Sequence, residues 1–316
     1  KAGIRRAPPL SFSAVSETLQ TATIANGRPV QRKDLALYLR YSLPKLTAVL
    51  YGRPRASYYR EVTIPKPSGK LRTLHAVTGD LKDLQRRVLD HLQKDYAPSA
   101  HSHGFTKGRS ILTNAGPHRR RKVVIKVDLE DFFPSITFAR VRGLFQAEPF
   151  GFGPEAATTL AQVCCLDSPN GPLPQGGVTS PFVANMVCRR LDNRLAGIAR
   201  RFHCAFTRYA DDITLSTNDL KRLDVGALLG QVYQTIEEEG FRPNKDKTKV
   251  LRPKDRQIVT GVVVNDGFNI NRKEIRALRA ILWNCEKLGI DSQAAKDIKN
   301  PRASRPSGIP PTAPGE

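Results

Sequence analysis

The chain has 316 residues, 40% of them hydrophobic, which is enough to bury a substantial core in one large or two small domains. Lys and Arg total 51 against 29 Asp and Glu, so the formal charge of +22 predicts a polyanionic partner such as nucleic acid. No apolar run approaches the roughly 18 residues of a membrane span, and no signal-type segment is present, so we expect a cytoplasmic protein with no membrane partner.

The five cysteines predict no covalent framework. Their number is odd and no Cys-x-x-Cys pair occurs, so neither disulfides nor a zinc site is expected. The adjacent Cys164 and Cys165 are interpreted as packed apolar residues rather than as a redox pair. A reducing compartment fits this usage.

Hydrophobic periodicity predicts alternating helices and strands along the chain. In chain order, we expect a helix at 34–51 interrupted at Pro44, two strands within 58–75, a helix at 80–95, a strand at 123–128, a helix at 180–200, a hairpin at 203–217, a helix at 219–239, strands at 249–251 and 258–264, and a basic amphipathic helix at 272–289. Residues 101–121 show no clear period, and residues 151–178 are rich in Gly and Pro. Because the strands also pair across hairpins, the pattern favours an α+β fold with helices on one face of the sheet over a doubly wound parallel sheet.

Three acids stand at predicted strand ends. Asp128 closes the apolar strand 123–128, and Asp211 and Asp212 lie at the tip of the hairpin. Nucleotidyl transfer uses two divalent cations, and Mg²⁺ prefers carboxylate oxygens. These acids therefore predict a metal site, but a two-metal nuclease would use a similar set, so they leave the reaction open.

Five segments resemble the motifs of reverse transcriptases and follow the order of that family. They are the fingers hairpin at 64–72, the first carboxylate motif at 126–136, the Pro-Gln-Gly segment at 173–181, the Tyr-x-Asp-Asp motif at 206–212 and the segment 244–248. The resemblance implies RNA-directed DNA polymerase activity with two Mg²⁺ ions, for which Mn²⁺ could substitute. It also implies a right-hand polymerase architecture with fingers, a palm of antiparallel sheet backed by helices, and a short helical thumb.

The domain boundaries expected from this architecture follow the chain. They are an N-terminal extension at 1–33, fingers at 34–122, a palm at 123–264 with a fingers-like insertion near 138–172, a thumb at 265–300 and a disordered tail at 301–316. The helical pattern fades near Ile298 and gives way to a Pro-rich tail, so we expect a short or truncated thumb.

The resemblance also implies a role for each matching residue. Asp128, Asp211 and Asp212 would be the catalytic metal ligands. The nucleotide-binding residues would be Lys70 and Arg72 on the triphosphate, Phe133 against a ribose 2′-OH, Gln175 on the sugar and Lys247 as proton donor to pyrophosphate. Phe132 is then expected in the core.

Two shorter segments resemble retron reverse transcriptases in particular. They are Asn114-Ala115-Gly116-Pro117-His118 and Val259-Thr260-Gly261. Without this resemblance, His118 would be interpreted as a surface histidine. The RNA-binding residues so implied, with those of the basic helix, are Asn114, His118, Val259, Thr260, Gly261, Arg272, Lys273 and Arg276.

A retron-type enzyme would copy a structured non-coding RNA into DNA from dNTPs. The resemblance implies priming from an RNA 2′-OH to give branched RNA–DNA (msDNA), a role in anti-phage defence and an effector protein as partner. Two alternatives are another bacterial reverse transcriptase, such as a group II intron type, and a non-catalytic RNA-binding protein on a polymerase scaffold. A group II intron type would need a larger basic C-terminal domain, and intact Asp128, Asp211 and Asp212 argue against the non-catalytic alternative.

Overall fold

The computed structural model describes residues 27–65, 71–167, 171–270, 272–291 and 294. Its helices are α1 (Arg32–Tyr38), α2 (Leu43–Tyr51), α3 (Gly79–Asp95), α4 (Ile111–Ala115), α5 (Phe138–Gln146), α6 (Pro154–Cys164), α7 (Ser180–Val187), α8 (Arg189–Arg201), α9 (Val225–Glu238) and α10 (Arg272–Leu288). Its strands are β1 (Tyr59–Pro65), β2 (Leu71–Val77), β3 (Val123–Glu130), β4 (Ala205–Tyr209), β5 (Asp212–Thr217), β6 (Arg242–Leu251), β7 (Ile258–Val259) and β8 (Val262–Val263). Lys70, most of the predicted N-terminal extension and the tail from 301 lie outside the described residues.

Most of the periodic segments are confirmed as helices and strands of the predicted type. Three differ from the prediction. The helix expected at 180–200 is divided at Cys188 into α7 and α8, the helix expected at 219–239 begins only at Val225, and the strand expected at 258–264 is a hairpin of β7 and β8. Pro44 occupies the first turn of α2, where its missing N–H costs nothing, and so marks the predicted interruption between α1 and α2. The hairpin predicted at 203–217 is β4 and β5. The strand predicted at 249–251 begins earlier, at Arg242. Its first half was not predicted because exposed polar residues, three of them consecutive at 245–247, give it no alternating hydrophobic pattern.

Three helices were not predicted, namely α4, α5 and α6. Helix α6 is buried around most of its circumference, and its buried residues include Ala156, Ala157, Leu160 and Ala161. It therefore has no polar face whose helical period could be recognised in the sequence. The short α4 lies in the segment without a clear period, and its N-terminus is capped by Ser110, whose side chain accepts a hydrogen bond from the Thr113 N–H.

The chain divides into two compact units. The first comprises the residues up to Pro98 together with Phe133–Val187. In it, β1 and β2 form an antiparallel hairpin in which Ile64 pairs with Arg72. Helix α3 buries the stripe Leu81, Leu84, Val88 and Leu92 completely, and α3 packs against α6.

The second unit comprises Ser99–Phe132 and the residues from Cys188 onward. Its core is an antiparallel four-stranded sheet in the order β4-β5-β3-β6. Most of β3 is buried, as its run of β-branched residues predicts for a central strand. Helices α8 and α9 pack together, with α8 against β4 and α9 against β6. Antiparallel sheets packed with helices confirm the predicted α+β class.

Cys164 and Cys165 are buried and free, which confirms their interpretation as packed residues. Burial raises the pKa of the Cys164 thiol to about 12, so it stays protonated at neutral pH. Across the part of the chain that is described, none of the helices combines the length and apolarity needed to cross a bilayer.

Candidate active site

The central sheet of the second unit places two of the predicted metal ligands side by side. Asp128 near the end of β3 is the direct antiparallel partner of Asp212, the first residue of β5. Directly opposed residues in such a pair have Cβ atoms about 5 Å apart. Both side chains are about three quarters buried. The pairing of two strands thus brings together acids that are 84 residues apart in the sequence.

The third acid, Asp211, lies in the tight turn between β4 and β5. Its backbone carbonyl accepts a hydrogen bond of 3.0 Å from the Leu129 N–H, which ties the turn to the residue after Asp128. Ala210 before it has φ 55°, in the left-handed region that an alanine rarely adopts. The surrounding structure must therefore hold this turn in place.

Two lysines neutralise the acids. The Nζ of Lys247 is 2.7 Å from Oδ2 of Asp128, and the Nζ of Lys126 is 2.9 Å from Oδ2 of Asp212. Burial raises the pKa of the Asp212 carboxyl, Lys126 opposes that rise, and the charge of Asp128 adds to it. The sequence predicted Lys247 near this site but gave Lys126 no role, although Lys126 lies two residues before Asp128 on the same face of β3.

The donor set fits divalent cations in its chemistry. Hard carboxylate oxygens are the ligands that Mg²⁺ prefers, and here they already attract the positive ammonium groups of two lysines. Within the described ranges, no three His, Cys, Asp or Glu side chains are gathered closely enough to form a ready-made metal cluster. The predicted assignment of Asp128, Asp211 and Asp212 as metal ligands stays a prediction.

The first unit links the segments that carry Arg72, Phe133 and Gln175. The His75 N–H, on the strand of Arg72, donates to the Gln175 carbonyl at 2.7 Å. The turn after Phe133 is closed by a hydrogen bond from the Ile136 N–H to the Phe133 carbonyl, at 3.1 Å. Arg72 is exposed, whereas Phe133 and Gln175 are half-buried. Their roles in nucleotide binding stay predictions.

Phe132 and the glycine after Gln175 have structural roles. Phe132 is buried and stacks on Phe241 with ring centroids 5.9 Å apart, which confirms its place in the core. Gly176 has φ 119°, and a Cβ there would lie 2.9 Å from the His75 carbonyl oxygen. Only glycine lets the loop approach β2 this closely.

Gln85 is a residue of the first unit that the sequence analysis missed. Its side chain is completely buried, its Nε2 donates to the Val163 carbonyl at 2.8 Å, and its Oε1 accepts from the Val178 N–H at 2.8 Å. It therefore anchors the loop that follows Gln175. The sequence feature that could have identified Gln85 is its place as a polar residue on the apolar stripe of α3, directly after Leu84.

Replacing Gln85 by Met should destabilise the first unit without changing side-chain size. The Val163 carbonyl and the Val178 N–H would lose their partner, and we expect the free energy of unfolding to fall by about 1–3 kcal/mol. Urea denaturation measures this change. Gln93→Met, on an exposed position of the same helix, is the matched control and should alter stability by less than about 0.5 kcal/mol. Equal effects of the two changes would contradict the anchoring role.

The two segments that resemble retron enzymes meet in the second unit. The Nδ2 of Asn114 is 3.4 Å from the Thr260 Oγ1, and Thr260 Oγ1 donates to the Ile111 carbonyl at 3.5 Å. Thr260 and Gly261 form the turn between β7 and β8 with φ values of 46° and 84°. Val259 is completely buried in an apolar cluster with Ala115, Val124, Val262 and Val264. Asn114 and Val259 expose no side-chain surface, so their implied RNA contact is not supported by this placement.

His118, which without the retron resemblance would be interpreted as a surface histidine, is not at the surface. Its ring is completely buried, with Nδ1 2.7 Å from the Ser216 Oγ and Nε2 2.8 Å from the Thr207 Oγ1. The neighbouring Arg119-Arg120-Arg121 suggested exposure, but the 3₁₀ turn at 116–118 directs the ring onto the sheet. A neutral ring can donate one of these bonds and accept the other. His118 therefore packs against β4 and β5, and direct RNA contact by its side chain is not supported either.

Burial gives His118 a measurable effect on acid stability. Burial, with smaller contributions from Arg121 and His103, lowers the pKa of His118 from its ordinary 6.5 to about 3. Below pH 6.5 the unfolded chain binds a proton at this residue and the folded chain does not. We therefore expect about 2 kcal/mol of stability to be lost at this residue between pH 7.5 and pH 5.

His118→Gln removes the titrating group and keeps hydrogen-bonding capacity, so its unfolding free energy should depend less steeply on pH over that interval. Denaturant unfolding at several pH values measures the slope. His91→Gln, at a half-buried histidine of α3, controls for the substitution itself. An unchanged slope in the His118 variant would contradict the expectation.

Helix α10 carries the predicted basic contacts. Arg272, Lys273 and Arg276 are exposed, and none of the residues of α10 is buried. Several of its apolar side chains are exposed as well, among them Leu278, Leu282 and Trp283, and Trp283 is 56% exposed. The amphipathic helix is confirmed, whereas its contact with RNA backbone stays a prediction.

Comparison with known proteins places this site in a family. The model of the family reverse transcriptase (RNA-dependent DNA polymerase) matches residues 64–278. The retron Mx65 reverse transcriptase of Myxococcus xanthus is 44% identical over 276 residues, covering 81% of this chain and 64% of that protein. The retron Mx162 reverse transcriptase of the same organism is 39% identical over 285 residues, covering 80% and 58%. The retron Ec86 reverse transcriptase of Escherichia coli is 35% identical over 271 residues, covering 84% and 82%.

The chain thus spans 64% and 58% of the length of the two Myxococcus xanthus relatives and most of the Escherichia coli one. The family match includes all three acids, and the predicted right-hand polymerase fold agrees with it. The chain belongs to the reverse transcriptase family and is a relative of retron reverse transcriptases.

Proposed function

We propose that this protein is an RNA-directed DNA polymerase of retron type. The observation that carries the proposal is the pairing of Asp128 with Asp212 across β3 and β5, with Asp211 in the adjoining turn tied to Leu129. Family membership supports polymerisation over hydrolysis for this set of acids. In this proposal the four-stranded sheet is the palm, residues 34–122 belong to the fingers and the thumb begins at 265.

Asp128, Asp211 and Asp212 would hold two divalent cations, Mg²⁺ or Mn²⁺. When bound, these supply an activated attacking hydroxyl and neutralise charge on the triphosphate and the leaving oxygen. The protein contributes the fixed backbone of two paired strands, which holds the carboxylates ready before substrate arrives. Lys126 and Lys247 each place a positive charge within 3 Å of a carboxylate oxygen, of Asp212 and Asp128 respectively, and so offset part of the negative charge gathered there.

The nucleotide would be bound by residues of different character. Arg72, with Lys70 near it in sequence, would hold the triphosphate, since a guanidinium fork matches phosphate geometry. The Phe133 ring would leave no room or partner for a ribose 2′-OH. Gln175 would contact the sugar, and its loop is braced by Gln85 and by β2. Lys247 would protonate the departing pyrophosphate.

The template would be a structured non-coding RNA, primed from one of its own 2′-OH groups to give branched RNA–DNA. Basic contacts from Arg272, Lys273 and Arg276 of α10 would hold the RNA backbone and weaken with salt. An effector protein and a role in anti-phage defence complete the proposal. The similarity to retron reverse transcriptases supports the retron type of the enzyme.

Primer extension tests the polymerase. The full chain is incubated with a DNA primer on an RNA template, dNTPs and Mg²⁺, and extension should be lost when EDTA removes the cation. Release of labelled nucleotides from DNA without synthesis would instead favour a two-metal nuclease. Binding of RNA without either reaction would favour a non-catalytic RNA-binding protein.

Nucleic acid that co-purifies with the protein tests the retron type. We expect sequencing and debranching to reveal one RNA species joined through a 2′-OH to DNA. Only linear host RNA in the preparation would contradict the retron assignment while leaving the polymerase proposal intact.

A further inference from the structure

A fully buried ion pair lies directly beneath the turn that carries Asp211. Arg208 on β4 and Asp192 on α8 both have no exposed side-chain surface. The guanidinium binds the carboxylate at two points, with Nε 2.6 Å from Oδ1 and Nη2 2.9 Å from Oδ2. Its remaining terminal nitrogen, Nη1, donates to the Ala210 carbonyl at 2.9 Å. One side chain thus joins a helix to the backbone of the turn.

A buried pair of this kind is a poor source of stability. Desolvation of both charges largely cancels their attraction, and apolar replacements of similar volume are often as stable or more stable. Stability alone therefore does not explain why this ion pair is present. Its geometry offers a reason, because the bidentate contact fixes the orientation of the guanidinium and so the direction of Nη1.

The turn requires such a support. Ala210 adopts the left-handed φ of 55°, which is unfavourable for a residue with a Cβ. The bond from Arg208 holds the Ala210 carbonyl, and the peptide that follows leads into Asp211. Burial works to lower the pKa of Arg208, but Cys188, Asp192 and, least of the three, Asp211 raise that pKa above its ordinary value.

We propose that Arg208, oriented by Asp192, is a positioning residue that holds the Tyr209–Asp212 turn in the conformation that presents Asp211 for catalysis. Arg208 does not touch the reacting atoms in this proposal. Only its catalytic consequence rests on the proposed polymerase function. The conformational consequence, a single ordered turn, does not depend on any activity.

The decisive variant replaces both partners by apolar residues, Arg208→Met with Asp192→Leu. This double variant leaves no unpaired buried charge, so we expect its melting temperature to recover most of what either single change loses. It still lacks the donor to the Ala210 carbonyl. Arg194→Met is the matched control, because it also removes an arginine from an ion pair. Arg194 lies on α8, as Asp192 does, and pairs with Glu239 at a partly exposed site.

Two readouts separate positioning from stability. Hydrogen exchange of peptides covering 205–217 should be at least about ten-fold faster in the double variant, with the rest of the second unit unchanged. In primer extension, kcat should fall about 10²-fold while KM for dNTP changes less than about three-fold, because only the placement of Asp211 is altered. The Arg194 variant should match the wild type in both.

A stable double variant with wild-type exchange and wild-type kcat would overturn the proposal. If the double variant does not fold, Arg208→Lys is the second test. Lysine keeps the charge but lacks the planar fork whose separate nitrogens reach the Asp192 carboxylate and the Ala210 carbonyl, so faster exchange of the turn is again expected. Unchanged exchange in that variant would also overturn the proposal. If the wild type has no polymerase activity, the function proposal fails, and the exchange comparison still decides whether Arg208 holds the turn.

Discussion

Asp211→Asn should abolish DNA synthesis while leaving the fold intact. Asparagine has the same size as aspartate, but it removes one negative charge and one strong metal ligand. We expect kcat to fall by at least about 10³-fold, equivalent to about 4 kcal/mol of transition-state stabilisation. Because Asp211 lies in a half-buried turn, the free energy of unfolding should change by less than about 1 kcal/mol.

A second measurement ties the loss to metal binding. A ligand that binds the folded chain raises its melting temperature, and at a fixed ligand concentration the rise is larger when the ligand binds more tightly. Mg²⁺ should therefore raise the melting temperature of the wild type and do so less in the Asp211→Asn protein. Glu130→Gln, an exposed acid at the end of β3, is the control for charge and should retain activity within about two-fold. Full activity of the Asp211 variant would refute the assignment of the metal ligands.

Local pattern predicted most of the fold because most of its elements are amphipathic. The stripe of α3 and the apolar run of β3 identify their elements without further information. Helix α6 was not predicted, because it is buried around most of its circumference. Its sequence therefore lacks the alternation of apolar and polar residues with a helical period on which such predictions depend. The start of β6 was not predicted, because a run of exposed lysines is typical of a loop. Its strand conformation depends on pairing with β3, which is distant in the sequence.

The acids of the candidate site could be singled out from sequence, and their assignment as metal ligands stays a prediction, whereas the residues that contact them could not be singled out. Asp128, Asp211 and Asp212 stand at strand ends within motifs, so a short window suffices to find them. Arg208, Asp192 and Lys126 become part of the site only through contacts between distant segments. The basic run at 119–121 suggested that His118 is exposed, whereas His118 is buried. Charged neighbours in the sequence do not determine which side chain packs against the sheet.

Gly104→Ala should disturb the catalytic turn from its other side. A Cβ on Gly104 would lie 2.7 Å from the Ala210 backbone nitrogen and 3.2 Å from the Tyr209 carbonyl carbon. The segment that carries it cannot easily retreat, because the His103 N–H donates to the Arg208 carbonyl at 2.8 Å and the Arg208 N–H donates to the His101 carbonyl at 2.8 Å. The side chain of Arg109 also holds this segment, through three of its carbonyl oxygens.

The added methyl must therefore displace the turn or strain its own segment. Overpacking of this size lowers the free energy of unfolding by about 1–3 kcal/mol. Displacement of Asp211 by as little as about 1 Å can lower kcat about 10²-fold. Urea denaturation and primer extension measure the two effects.

Gly230→Ala is the matched control for this change. Gly230 lies within α9, and a Cβ there would have no neighbour within 4 Å, so alanine should stabilise the helix by about 0.5–1 kcal/mol without altering kcat. The comparison separates strain at the turn from a general effect of losing a glycine. A Gly104→Ala protein that is less stable but fully active would mean that the segment yields instead of the turn, and that Asp211 tolerates movement of its neighbours.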